Sequence, residues 1–411
     1  MRDVIVIGGG LGGLLSAIRL ARSGLTVTLL EKQTYPFHRV CGEYISNEVL
    51  PYLTAAAPHL PFDTLPGIHR LRVTSVEGRN QVASPLGLGG FGISRYMLEE
   101  HLLYEAQRLG VDVRDGCPVS GVEFEGSRFK VRGRAGFLMR TPMVIGAFGK
   151  RSNLDRRLGR RFMDVPTPWM AVKYHIRAEL PAGEIALHHF RGGYCGVSPI
   201  EDDKACLCYL TRHDNLKGDI KRMEGQVVRK NPYLENLFRN AHFLSEKPMV
   251  IGGVSFEPKQ PVENHILMVG DAAGLIAPLC GNGMAMAVRS SHLACEQVEQ
   301  FYAGALSREK LEKVYAREWR EAFQRRLWVG RFLQKTLGST MPLTPGLVGL
   351  LRRMPPVVSQ LIRQTHGGVM PPMPSTPATP EVTPAGLSHS LAPTVPRPLS
   401  CSHQRAGRPH L

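Results

Sequence analysis

Val4-Ile-Val-Ile-Gly8-Gly-Gly10-Leu-Gly-Gly13-Leu-Leu, residues 4–15, decides the fold of this chain. Four apolar residues in a row read as a buried strand, and the apolar spacing from Leu11 to Ser23 is helical. Between them Gly8, Gly10 and Gly13 stand in GxGxxG spacing. The first glycine permits a tight strand-to-helix turn, the second lets backbone approach a pyrophosphate, and the third lets the helix pack closely on the strand. The helix N-terminus offers free N–H groups and a positive dipole end to phosphates. Leu25 to Leu30 reads as a second strand ending at Glu31. A carboxylate at that distance accepts the ribose hydroxyls of an adenosine. Leu11, Gly12, Lys32 and Arg39 join this dinucleotide site as expected contacts.

Outward from that βαβ unit, residues 68–84 alternate like a hairpin, and Ser94 to Leu109 reads as an amphipathic helix. Short strands fill 111–148. From Trp169 to Tyr209, β-rich runs between Gly and Pro turns predict an antiparallel sheet in a separate layer. His265 to Val269 is a further strand, after which the chain reads as mainly helical to about 365. From Pro371 the tail is rich in Pro, Ser and Thr with almost no aromatics, and disorder is expected there.

The last of these strands enters Val269-Gly-Asp-Ala-Ala-Gly-Leu-Ile-Ala-Pro-Leu-Cys-Gly-Asn-Gly-Met. This segment resembles the second FAD motif of the para-hydroxybenzoate hydroxylase superfamily, which includes aromatic hydroxylases, squalene epoxidases and geranylgeranyl reductases. The resemblance covers about residues 1–335. It implies that Gly270 and Asp271 meet the ribityl chain, that the turn at Pro278 borders the flavin, and that the helix after Gly281, Asn282 and Gly283 points at its pyrimidine. A reduced flavin carries negative charge there, which a helix N-terminus stabilises. Arg95, opening the Ser94-Arg-Tyr-Met helix, matches the family's arginine close to FAD; a solvated arginine is the rival reading.

The expected architecture is therefore α/β. It has a Rossmann-type FAD-binding domain (1–66, 94–160 and 258–304) and an interleaved, mainly antiparallel β substrate domain (hairpin 67–93, then 161–257). C-terminal helices (305–370) and the Pro-rich tail (371–411) complete it. Val40-Cys41-Gly42-Glu43 resembles the Cys-Gly segment of the geranylgeranyl reductase branch, and Gly192-Gly-Tyr-Cys-Gly-Val-Ser-Pro its substrate-domain strand. Cys41 and Glu43 are thus the candidate catalytic residues, with His38 a neighbouring proton donor. An inert pocket thiol and a surface His and Glu remain the bland alternatives.

One departure stands out. The superfamily's Asp-Gly motif reads Ala147-Phe148-Gly149 here. Gly149, Lys150, Arg151 and Ser152 are left as backbone and phosphate contacts, and the usual handling of NAD(P)H as electron donor is put in doubt; an electron-donor protein is the other candidate. The expected function is reduction of a carbon–carbon double bond in a hydrophobic isoprenoid or phenolic-lipid substrate. The alternatives are an NAD(P)H-dependent monooxygenase and a non-catalytic FAD-stabilised binding protein.

Composition bounds the rest. Apolar and charged fractions are those of a globular protein, and no stretch reaches the roughly 18 apolar residues of a membrane span. With no secretory leader before Val4, a cytoplasmic location is expected. Eight scattered cysteines make neither a disulfide scaffold nor a zinc site, so no metal is expected; Cys206 and Cys208 share one strand face and read as buried thiols. The net charge is +16, and residues 307–370 hold twelve Lys or Arg against four acids. Nothing resembling a nucleic-acid motif accompanies that surplus, so no nucleic acid is expected. Leu327-Trp-Val-Gly-Arg-Phe-Leu and Leu347-Val-Gly-Leu-Leu-Arg-Arg combine apolar faces with cations. That pattern fits peripheral contact with an anionic bilayer, or an ordinary basic helix packed on its own core.

Overall fold

The computed structural model describes residues 2–134, 136–337, 349 and 353–375. Strand β1 (Val4–Ile7) is wholly buried, helix α1 (Leu11–Arg22) follows with Gly10 as N-cap, and β2 (Val27–Leu30) runs parallel to β1. Strand β3 (Tyr44–Ser46) and helix α2 (Leu50–Ala56) lead to the antiparallel pair β4 (Gly67–Thr74) and β5 (Gln81–Gly92). The pair runs past the alternating stretch 68–84, to Gly92, because β5 continues to pair with β3. Helix α3 (Arg95–Arg108) is capped by the Ser94 hydroxyl, which accepts from the Met97 amide at 3.1 Å.

Strands β6 (Asp112–Arg114), β7 (Val119–Glu125), β8 (Arg128–Gly133), β9 (Leu138–Thr141) and β10 (Met143–Gly146) precede the short helix α4 (Asn153–Arg157). The second layer holds β11 (Trp169–Arg177), β12 (Glu184–Phe190), β13 (Gly193–Ile200) and β14 (Lys204–Arg212), then helices α5 (Ile220–Gln226) and α6 (Pro232–Asn240). After β15 (His242–Phe243), β16 (Met249–Val254), β17 (Val262–Glu263) and β18 (Ile266–Met268), the chain is helical: α7 (Gly283–Tyr302), α8 (Arg308–Leu337) and α9 (Pro355–Thr365).

Two large sheets result. The first, of six strands in order β17-β18-β10-β1-β2-β6, is parallel except for β17. Its central strands β1, β2 and β10 are buried on both faces, which is why they read as unbroken apolar runs. The second runs β15-β11-β14-β13-β12-β4-β5-β3, with β16 also on β11. It is antiparallel apart from the β12–β4 pair. Met223, Leu234 and Leu237 from α5 and α6 cover one of its faces, against Val172, Tyr174 and Tyr209. Because β3 to β5 belong to this sheet yet lie between elements of the first, the two domains interleave as expected. Loop 39–43 is where the chain crosses between them.

The described start of the tail departs from the expected disorder. Met373 is buried in the main core, and the Met370 amide donates to the Glu48 carbonyl at 2.7 Å. Apolar methionines among the prolines supply the surface that composition alone undercounts. The basic run at 347–353 lies, apart from Gly349 and Arg353, outside the described residues. Among the described residues no helix is long and apolar enough to cross a membrane.

Candidate functional site

One cavity of about 1600 Å³ runs from the glycine turn of the first sheet to the inner face of the second. Gly8 has φ +104°, and a methyl there would collide with the Ala147 carbonyl; one at Gly13 would collide with the Gly8 carbonyl. The turn is therefore open only to glycine. Gly8, Gly10, Leu11, Gly12, Glu31 and Lys32 line the cavity, while Gly13 lies behind it in the helix–strand contact. Arg95 and Arg39 stand across from Gly10, at 3.4 and 3.8 Å from where its Cβ would be. Arg95 is not a solvated arginine: it lines the cavity and pairs with Glu99. Arg39 pairs with Glu99 at 2.8 Å and Glu31 at 3.4 Å.

Glu31 is almost fully buried. Its carboxylate accepts from the Gly9 amide at 2.7 Å and the Gln33 amide at 3.0 Å, so it fastens the glycine turn to the end of β2. At the far side Gly270 (φ +59°) turns β18 into the cavity wall. Asp271 follows, and its carboxyl accepts no hydrogen bond from a described residue. Burial raises its pKa, against the opposing pull of Lys259, Arg95 and Lys150. Pro278, Gly281 and Gly283 also line the cavity, and α7 begins there with no side-chain cap. Asn282 is buried beside this turn, with neither end of its amide partnered among the described residues.

These features fit FAD. A turn that bars a Cβ at Gly8 and Gly13, two arginines beyond it, an uncapped helix start and a carboxyl without a described donor match a pyrophosphate, a flavin edge and a hydroxylated chain.

The second wall is built by loop 39–43. Cys41 is half-buried, carries a free thiol and lines the cavity, as do His38 and Glu43. The loop is held from the substrate sheet. Lys173 donates to the Arg39 carbonyl at 3.0 Å, Cys206 to the Cys41 carbonyl at 3.1 Å and Ser198 to the Gly42 carbonyl at 2.8 Å. Glu43, at φ +55° and fully buried, pairs with Lys173, bonds His175 at 2.7 Å and accepts from the Arg95 amide at 2.9 Å.

Although burial alone would raise the pKa of Glu43, His175 and Lys173 together outweigh burial and lower it. Its carboxylate, held by Lys173, His175 and the Arg95 amide, anchors the wall. His38 is exposed at its edge, and burial, with His175 and Lys173 nearby, lowers its pKa. Cys206 is a buried thiol, as expected, whereas Cys208 is half-buried and lines the cavity, its thiol pushed up to about 12 by its surroundings.

The remaining lining is apolar at the substrate-sheet end, with Ile185, Leu187, Leu210, Ile251, Leu275 and Ile276. Lys150, Arg151, Arg156 and Arg157 line the mouth, and none pairs with a described carboxylate. Burial lowers Lys150 to about 8. Ser152 is used otherwise than expected: it caps α4, accepting from the Leu154 amide at 3.1 Å. Sequence reasoning missed Lys173, His175 and Lys259. The one available signal was a lysine within the otherwise apolar run Met170-Ala-Val-Lys-Tyr.

Comparison with known proteins agrees with this geometry. The FAD binding domain family matches residues 3–38. The chain is an FAD-dependent oxidoreductase. This oxidoreductase is similar to the digeranylgeranylglycerophospholipid reductase of Methanosarcina acetivorans, at 29% identity over 78% of the chain and 80% of the relative. It is also similar to a tryptophan 2-halogenase of Chondromyces crocatus, at 25% identity over 78% of the chain and 66% of the relative. Among solved structures, a geranylgeranyl bacteriochlorophyll reductase-like protein from Thermoplasma acidophilum superposes with TM-score 0.71 at 21% identity, covering 88% of the chain and 94% of that protein. A flavin-dependent brominase gives 0.72 at 19% identity, over 89% and 93%. The resemblance to the geranylgeranyl reductase-like branch read from Cys41-Gly42 is borne out.

Proposed function

We propose that this oxidoreductase reduces a carbon–carbon double bond in a long hydrophobic substrate, of isoprenoid or phenolic-lipid type. The observation that carries the proposal is the single cavity whose polar end fits FAD and whose other end is apolar. At about 1600 Å³ it exceeds the roughly 300–1,000 Å³ of a site for one small ligand, leaving room for a substrate beside the cofactor. The relatives named as phospholipid reductases support the same reading.

Reduced FAD, when bound, would supply the hydride. The chain's own residues would hold it: Gly8, Gly10, Leu11, Gly12 and the start of α1 would bind the pyrophosphate with Arg39 and Arg95, Asp271 would hold the ribityl hydroxyls, and the turn from Pro278 to Gly283 would border the flavin. Saturating a double bond places hydride on one carbon and a proton on the other, and Cys41 is the side chain offered as proton source at the wall. Glu43 and Lys173 position it. Electrons arrive from an anionic donor, NAD(P)H or an acidic protein, guided by Lys150, Arg151, Arg156 and Arg157 at the mouth.

A second reading, oxygen transfer to an aromatic ring or alkene, is favoured by the halogenase relative, whose substrate is aromatic by name. Product mass decides between them. Incubation with polyprenyl and alkylphenol substrates gives a product gaining two hydrogens if the proposal holds; a gain of one oxygen atom overturns it in favour of the second reading.

A further inference from the structure

Helix α8 has two unlike faces. On the inner face Leu311, Tyr315, Trp319, Phe323 and Leu327 are buried in the main core. Gly330 lies so close to the 274–280 segment that a Cβ there would sit 3.1 Å from Ile276 and 3.4 Å from the Cys280 sulfur. Gln334 accepts from the Tyr194 hydroxyl at 3.2 Å, and that hydroxyl accepts from the Leu279 amide at 3.0 Å. Tyr194, Leu275, Ile276 and Pro278 line the cavity. The C-terminal half of α8 thus backs the apolar end of the site.

On the outer face of α8 Lys313 pairs with Glu309 and Arg317 with Glu321, each one turn apart, while the exposed Lys310 and Arg320 meet no described carboxylate. Further along, the inward-turned Arg326 pairs with Glu48 at 3.4 Å. Arg325, Arg331 and Lys335 have no carboxylate partner among the described residues. Between them Trp328 and Phe332 stand 62% and 53% exposed, their rings stacked at 6.1 Å between centroids. A groove lined by Arg320, Gln324, Arg325, Trp328 and Arg331, with Glu321 as its one acid, runs alongside.

An ordinary solvated helix pairs its cations or spaces them, and does not hold two large aromatic rings in water. Stacked aromatics flanked by unmatched Arg and Lys are the pattern of a surface seated at the headgroup level of an anionic bilayer, rings in the interface and cations on phosphate. We propose that the outer face of α8 from Arg325 to Lys335 docks the oxidoreductase on an anionic lipid surface. The inference rests on the hydrophobic-substrate reading above, and adds to it a delivery route: the helix that touches lipid is the one that backs the substrate end of the cavity.

The test is co-sedimentation of the FAD-loaded full chain with vesicles of phosphatidylglycerol or of phosphatidylcholine. Binding to the first, weakened by salt and weak or absent for the second, is expected, with Trp328 emission shifting to the blue. The double variants Trp328→Ser with Phe332→Ser, and Arg325→Gln with Arg331→Gln, should each weaken binding roughly tenfold or more with FAD content unchanged. Wild-type protein left in the supernatant with phosphatidylglycerol, or variants that bind as wild type, overturns the proposal. So does self-association or capture of an acidic protein through this face without vesicle binding. Turnover of detergent-dispersed substrate separates the two ideas: vesicle binding without turnover of any hydrophobic substrate removes the substrate reading and leaves the docking surface standing.

Discussion

Asp271 holds a carboxyl in the cavity wall with no donor among the described residues, and on the reading proposed above it faces the cofactor. Asp271→Ala is expected to weaken FAD binding by roughly 10- to 100-fold, the value of one or two hydrogen bonds to a charged group. Flavin absorbance after gel filtration reads the loss; full yellow occupancy would show that the ribityl chain lies elsewhere. Lys173 is a different kind of residue. Lys173→Met leaves Glu43 buried with only His175 and the Arg95 amide as partners, and a destabilisation of about 3 kcal/mol in denaturant unfolding is expected. In the same variant the Cys41 thiol should alkylate faster, because the Arg39 carbonyl loses its donor. The places of Asp271 and Glu31 on the cavity wall were legible because each is set by spacing within one motif. The Glu43 clamp was not: its partners come from β11, 130 residues away, and no local pattern pairs them.

Strand β12 carries the clearest pH dependence of any element. Burial lowers both His188 and His189 to about 4, against about 6.5 in an unfolded chain. Between those values the unfolded chain binds more protons, so stability falls as pH drops from about 6.5 toward 4 and is fully present above that window. Thermal unfolding followed from pH 7 to pH 4.5 should show this fall, and His189→Gln should flatten it; an unchanged slope would mean that these rings take up protons in the folded state. In α1, Gly13→Ala sets a methyl against the Gly8 carbonyl and should abolish FAD retention, checked by absorbance. Periodicity predicted the elements it bounded to within a few positions, as with α1 and α3. The parallel β12–β4 contact was invisible, since it joins strands more than a hundred residues apart, side by side, through register alone.

For the whole molecule, what matters is that two interleaved domains enclose one cavity. The glycine fingerprint and the 269–283 segment are local and announced the cofactor's half. The substrate's half is made by residues from β12, β14 and β16 whose apolar character is common to every core, so its shape could not be read from sequence. On the reading proposed above, with Phe148 in place of the usual Asp, the cations of the mouth are where the electron donor lands. Arg156→Gln with Arg157→Gln should slow flavin reduction by NADPH or ferredoxin several-fold at low salt and little at high salt. Stopped-flow absorbance checks it, and equal rates at both salts would remove the mouth from the electron path. The central claim concerns what the reduced flavin does next. Anaerobic single-turnover mixing of the dithionite-reduced protein with a polyprenyl substrate tests it most directly. Flavin absorbance returning in step with substrate, without oxygen, is the predicted result. Flavin that stays reduced until oxygen is admitted, and only then yields product, would contradict it.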